Sequence, residues 1–110
     1  MTTVIAIDAL DREGTFEGYL HDDAGVSFFL VNLPPGGGPA LHRHAYAEVF
    51  LILEGHACFT AGNETLDVPG GHIVVVPAGA PHKFVNDGSG DLRMVNIHAT
   101  GKIETEWLEE

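Results

Sequence analysis

The feature that most constrains this chain is the rhythm of its apolar segments. Short runs rich in β-branched and aromatic residues recur throughout, each ended by Gly, Pro, Asn or Asp. Thr15–Leu20 and Val26–Leu33 flank the turn-forming 21–25 stretch and predict a hairpin. Tyr46–Leu53 stops at Glu54-Gly55, and Ala57–Ala61 and Glu64–Val68 are joined by Gly62-Asn63. His72–Val76 ends at Pro77, His82–Val85 runs into the 86–90 turn, and Leu92–Ala99 is the last clear strand. No helical period separates these runs, and 14 glycines with six prolines suit tight turns better than helices. The expected architecture is all-β, an antiparallel sandwich or barrel.

With 110 residues the chain supports one core, so residues 1–110 are expected to form a single domain ending in a short polar tail, 102–110. Ile103, Trp107 and Leu108 are the tail's apolar contacts, Trp107 being read as packing, and nothing in the pattern decides its conformation. The strand from Glu48 to Leu53 is apolar on both faces: Phe50 and Ile52 on one, Val49, Leu51 and Leu53 on the other. A chain this small has little to cover an outer sheet face, which predicts a homodimer.

The formal net charge is −11, from 16 acidic against five basic side chains. Such a surface repels phosphate backbones and anionic lipid, so nucleic acid and membrane surfaces are not expected partners. Asp8, Asp11, Glu13, Glu17, Asp22 and Asp23 crowd the start, and Glu104, Glu106, Glu109 and Glu110 the end; both groups read as solvated faces. Cys58 is the sole cysteine, which precludes an intrachain disulfide and fits a reducing cytoplasm; it reads as a small buried apolar filler. No basic segment leads into an apolar run at the start, and no apolar run reaches membrane-spanning length.

Chemistry concentrates in four residues. His42 and His44 are one residue apart, so an extended backbone points both imidazoles the same way. Glu48 shares their parity four residues on, and across a short kink its carboxylate can join them. His82 opens another strand after the rigid 77–81 turn, and antiparallel closure could bring it opposite. Three imidazoles and a carboxylate suit one divalent transition metal (Fe, Mn, Ni, Co, Cu or Zn), whereas Ca or Mg would want mostly oxygen ligands.

Those residues carry a resemblance to the cupin superfamily, in particular its compact single-domain microbial members. A first motif of glycine, His-x-His, glutamate and glycine stands here as Gly36, His42, His44, Glu48 and Gly55. A second, of glycine, Pro-x-Gly, histidine and asparagine, stands as Gly71, Pro77, Gly79, His82 and Asn86. His72 departs from the aspartate common after the second motif's first glycine, without touching the ligand set. The resemblance implies a double-stranded β-helix, or jelly roll, with metal held by His42, His44, Glu48 and His82.

Parity extends the pocket. Phe50, Ile52 and Phe84 should share the inward face, with Met94, Asn96 and His98 on one face of the last strand. Either Phe28, Leu30 and Asn32 or Phe29, Val31 and Leu33 should line the neighbouring wall, and the pattern does not choose. His98 is the best non-ligand residue for substrate contact or proton transfer. His21, His56 and His72 read as ordinary surface or hydrogen-bonded residues. The expected function is that of an enzyme acting on a small oxygen-bearing metabolite; the three-His, one-Glu shell resembles that of cupin dioxygenases. Alternatives are a non-redox isomerase, lyase or decarboxylase, or a non-catalytic small-molecule-binding module.

Overall fold

A computed structural model describes residues 2–10 and 14–109. Asp11, Glu13 and Glu110 of the acidic ends lie outside the described residues. The strands are β1 (Thr15–Glu17), β2 (Ser27–Leu33), β3 (His42–Arg43), β4 (Glu48–Glu54), β5 (His56–Ala61), β6 (Glu64–Pro69), β7 (His72–Val76), β8 (His82–Asn86), β9 (Leu92–His98) and β10 (Glu106–Trp107). Two antiparallel five-stranded sheets result, ordered β1-β2-β9-β4-β7 and β10-β3-β8-β5-β6. This is the all-β jelly roll expected from the sequence. Among the described residues no helix is long and apolar enough to cross a membrane.

The core between the sheets follows from strand alternation. On β4, Glu48, Phe50 and Ile52 are buried while Val49 and Leu51 are only half-buried. Phe50, Phe59 and Phe84 pack edge-on or tilted at ring centroid distances of 5.0–5.8 Å. Around them lie Ile52, Ala57, Val68, Val74, Val76, Leu92 and Met94. The opposite face of the first sheet is uncovered: Ile73 is 66% exposed and Val75 63%, beside half-buried Val49, Leu51, Val95 and Ile97.

One open point is decided and two expectations are corrected. Within the tail Glu106–Trp107 is a strand: β10 pairs with β3, Glu106 opposite Arg43 and Trp107 opposite His42. Glu17 is buried rather than solvated, because its Oε2 accepts the Ile103 amide at 3.0 Å and ties the tail to β1. Cys58 is half-buried on the outer side of the second sheet, opposite Asp67, rather than a core filler.

Gly38 and Gly55 are among the glycines required by close backbone approach. A Cβ on Gly38 would lie 2.0 Å from the Phe84 carbonyl oxygen, so only glycine lets the 34–38 loop run against β8. Gly55 turns β4 into β5 at φ +93, and a Cβ there would lie 2.6 Å from the Asp91 carbonyl oxygen. Gly55→Ala should therefore cost about 1–3 kcal/mol and lower the melting temperature by several degrees or more, measured by thermal denaturation of the metal-free protein.

Candidate metal centre

The site forms where the chain crosses between sheets. His42 lies on β3 and, through antiparallel pairing, directly opposite His82 on β8. After Arg43 the chain leaves the second sheet, passes His44 and enters the first at Glu48, which pairs with His98 on β9. The kink after His44 is held by the Gly79 amide, which donates to the His44 carbonyl at 2.7 Å. Second-sheet imidazoles thus meet a first-sheet carboxylate across the core, and His42, His44, Glu48 and His82 form one buried group with ligand atoms within 4.8 Å of one another.

Each imidazole is locked by its backbone. His42 Nδ1 lies 2.7 Å from the Ala40 carbonyl, His82 Nδ1 2.9 Å from that of Ala80, and His44 Nδ1 2.8 Å from that of Glu104. A carbonyl accepts only, so in each neutral ring Nδ1 carries the proton and Nε2 the lone pair. Those lone pairs converge on a carboxylate: His82 Nε2 is 3.1 Å and His44 Nε2 3.2 Å from Glu48 Oε1. His44 Nε2 is buried without a hydrogen-bond partner. Lone pairs facing a carboxylate oxygen repel unless a cation lies among them. The donor set therefore fits a divalent transition ion, which these four residues could hold.

Electrostatics agree with this arrangement. Burial acts to raise the pKa of Glu48, yet the surrounding imidazoles of His44, His82 and His98 outweigh it and hold the carboxyl well below its usual range. Burial lowers the pKa of His42, keeping it neutral and ready to ligate. Burial also acts to lower that of His44, but Glu48 and the Glu104 carbonyl more than offset it, so His44 protonates more readily.

Beside the four sits a relay that the sequence only partly revealed. His98, 2% exposed, places Nε2 3.1 Å from Glu48 Oε2. Its Nδ1 lies 2.9 Å from the Tyr46 hydroxyl, which also lies 3.2 Å from His44 Nδ1 and accepts the Glu104 amide at 3.3 Å. Burial pushes the Tyr46 hydroxyl up to about 12, so it stays protonated. With His98 Nδ1 as its nearest acceptor, that proton turns the His98 Nε2–H toward Glu48. Tyr46 gave no signal in the sequence, where it reads as another strand aromatic.

Above the group is a cavity of about 290 Å³, lined by Phe29, Val31, Leu33, Pro39, His42, His44, Glu48, Phe84, Asn96, His98, Thr105 and Trp107. The odd-numbered side of β2 supplies its wall, deciding the alternative that the pattern left open. Of the expected pocket residues, Phe84, Asn96 and His98 line the cavity. Phe50, Ile52 and Met94 also point inward but lie deeper, in the apolar core. Trp107 is not mere tail packing: β10 brings its ring to 5.1 Å from that of His42, at the cavity wall. His21 stacks on Phe16, and His72 Nδ1 bonds the Pro69 carbonyl. A second group on the outer face, His56, Asp67 and Asp87, is more exposed, and its His56 is already paired with Asp87.

An antiparallel jelly roll with a buried three-His, one-Glu group at the inner wall defines a class of small barrels with a side-chain group that could hold a metal. The cupin domain family matches residues 29–98, and the chain belongs to it. An uncharacterized protein of Streptomyces coelicolor is 36% identical over 86 residues, 78% of this chain and 80% of that protein. Among solved structures, an uncharacterized double-stranded β-helix protein of Klebsiella pneumoniae superposes with a TM-score of 0.77 at 18% identity, covering 97% of this chain and 92% of that one. Lactobacillus farciminis oxalate decarboxylase superposes with a TM-score of 0.77 at 23% identity over 86% of this chain, which spans only 30% of that enzyme's length. These structures share the fold.

Two outcomes follow. Elemental analysis of untagged protein should find about one divalent transition ion per chain, as one His3Glu set accommodates. His44→Ala and His82→Ala should reduce this to background, while His72→Ala, outside the group, retains it. In the metal-free protein the depressed Glu48 pKa contributes stability that is complete above the ordinary value of 4.5 and is lost as pH falls through the lower folded value. Thermal melts across acid pH should show this loss, and Glu48→Gln should flatten that part of the profile.

Proposed function

We propose that this cupin is a metal-dependent enzyme acting on a small oxygen-bearing metabolite, and that it is a dioxygenase. The observation that carries the reading is the convergence of three backbone-locked imidazoles and Glu48 at the wall of an apolar cavity of about 290 Å³. One bound divalent transition metal would supply Lewis acidity and, if redox-active, a path for electrons between substrate and O₂. The chain's own residues do the rest. Phe29, Val31, Leu33 and Phe84 exclude water from the substrate's body. His98, reaching both the cavity and Tyr46, is placed to hold or pass a proton beside Glu48.

A non-redox lyase or decarboxylase is the second reading, favoured by the structural likeness to an oxalate decarboxylase. The same residues would serve it, with the metal acting only as a Lewis acid.

The uncovered outer face of the first sheet supports a homodimer. Val49, Leu51, Ile73, Val75, Val95 and Ile97 carry no charge, whereas like charges elsewhere on a chain of net charge −11 keep copies apart. A two-fold axis would set this apolar patch against itself, with β7 at the sheet edge nearest the partner.

The function is tested by loading the protein anaerobically with Fe(II) and adding O₂ with enols, diketones and catechol-like compounds. Substrate-dependent O₂ consumption is expected, reduced at least tenfold in His98→Ala. No uptake across the panel with confirmed metal occupancy would overturn the dioxygenase, and full turnover by the zinc form would establish the non-redox reading. For the assembly, light scattering should give a dimer mass for the wild type and a monomer mass for Val75→Glu. A monomeric wild type at about 100 μM, far above the Kd of a specific interface, would refute the dimer.

A further inference from the structure

Two asparagines are buried in this fold, and their contrast is informative. Asn86 is fully used: its Nδ2 donates to the carbonyls of Leu33 and Gly90 at 2.9 and 2.8 Å, and its Oδ1 accepts the Gly88 amide at 2.9 Å. It closes the turn between β8 and β9. Asn96 is 5% exposed, lines the cavity, and has a buried Oδ1 with no hydrogen-bond partner. A buried carbonyl left unpaired loses the hydrogen bonds it made to water and gains none in return. The fold satisfies its other buried asparagine completely and leaves this one unpaired beside the cavity, where an entering group can satisfy it.

Position and charge narrow what that is. Asn96 points inward from β9 two residues before His98, so it lies about 7 Å along the strand from the ring facing Glu48. A ligand that chelates at the metal group and reaches Asn96 must extend that far. With a divalent ion, ionised Glu48 and three neutral imidazoles, the centre carries a net charge of +1. A monoanionic chelator neutralises it, whereas a dianion leaves an excess negative charge in an apolar pocket. Among the described residues no lysine or arginine lines the cavity to offset such a charge, and Arg43 faces away, held by Glu106 at 2.7 Å. Apolar Phe29, Val31, Leu33, Phe84 and Trp107 instead present surface for a flat hydrocarbon or aromatic body.

Building on the metal-dependent reading above, we infer that Asn96 is the specificity-determining residue of this pocket. Its carboxamide oxygen accepts a hydrogen bond from an O–H or N–H at the far end of a monoanionic O,O-chelator with a flat apolar body. Enolates, hydroxyketones and hydroxypyranones of this form fit. Small dicarboxylates such as oxalate do not: they add a second negative charge and offer Asn96 only acceptors.

Isothermal titration of the Co(II)-loaded protein tests this with three probes. Kojic acid is a monoanionic chelator bearing a distal hydroxymethyl donor. Allomaltol is the same ring with a methyl in that place, and oxalate is the dianion. Kojic acid is expected to bind about 3- to 10-fold more tightly than allomaltol, the range of one net hydrogen bond, and at least tenfold more tightly than oxalate. Asn96→Leu should bring kojic acid and allomaltol to equal affinity, while Asn96→Asp, which keeps an acceptor, should preserve their order. Co(II) absorption and the melting temperature establish that each variant is folded and loaded. Equal affinity for kojic acid and allomaltol in the wild type, an unchanged ratio in Asn96→Leu, or oxalate binding as tightly as kojic acid would overturn the inference and leave the metal-dependent reading standing. Failure of the protein to take up metal, or of every chelator to bind the loaded protein, would overturn both.

Discussion

The pairing of β3 with β8 sets His42 against His82, and the site depends on that closure. Neither strand brings much apolar area to the contact. β3 is two residues long, and its other neighbour, β10, is equally short. What secures the closure is the backbone around it. The Gly79 amide holds the His44 carbonyl, and the Gly36 amide and Gly37 carbonyl bracket Asn86 at the far end of β8. Gly38, with no Cβ, lets that bracket lie flat against Phe84. Because these are backbone contacts, the imidazole positions are fixed by the path of the chain and are not chosen by flexible side chains.

From that closure the electrostatics follow. Three Nδ1 atoms are tied to carbonyls, so the rings cannot turn their lone pairs away from Glu48. A carboxylate taken so far out of water would ordinarily become neutral; here the surrounding rings reverse the shift and keep it charged. Fully neutral rings would set lone pairs against that carboxylate, a conflict that a proton on His44 or a cation among the rings removes. The core of Phe50, Phe59 and Phe84 packs beneath the site.

Local rules made part of this legible. Parity along an extended segment puts His42, His44 and Glu48 on one side, and turn chemistry sets the strand ends within a residue or two except at β1, which stops at Glu17 where Gly18–Leu20 coils into a 3-10 turn. Where local rules were silent, the cause is physical. β2 is apolar on both faces, so alternation alone could not say that Phe29, Val31 and Leu33, and not Phe28 and Leu30, turn to the cavity; the pairing with β9 decides it. Phe50, Ile52 and Met94 have the right facing, but sequence parity carries no information about depth between two sheets. A two-residue strand such as β10 has no period to read, so Trp107 looked like tail packing until pairing with β3 brought it against His42. Tyr46 lies in a bend, where no rule of spacing predicts a contact with His98 on a strand far along the chain.

The buried polar atoms that lack partners mark the boundary between structure and chemistry. Ser27, Asn86 and Glu17 are buried too, yet each is engaged: Ser27 Oγ accepts the Gly18 amide and donates to the Thr100 carbonyl, and Glu17 accepts the Ile103 amide. Among the described residues the exceptions, His44 Nε2 and Asn96 Oδ1, both lie on the walls of one cavity, beside the His98 ring whose Nε2–H turns to Glu48. Had they been scattered through the core, they would signal a fold poorly matched to its sequence. Gathered around one space, they describe what that space lacks: a cation where the imidazoles converge, and a hydrogen-bond donor farther along β9. Departures from local consistency concentrated in this way are expected where a protein keeps groups free for a ligand, because each unsatisfied group is tolerated only if something that enters will satisfy it.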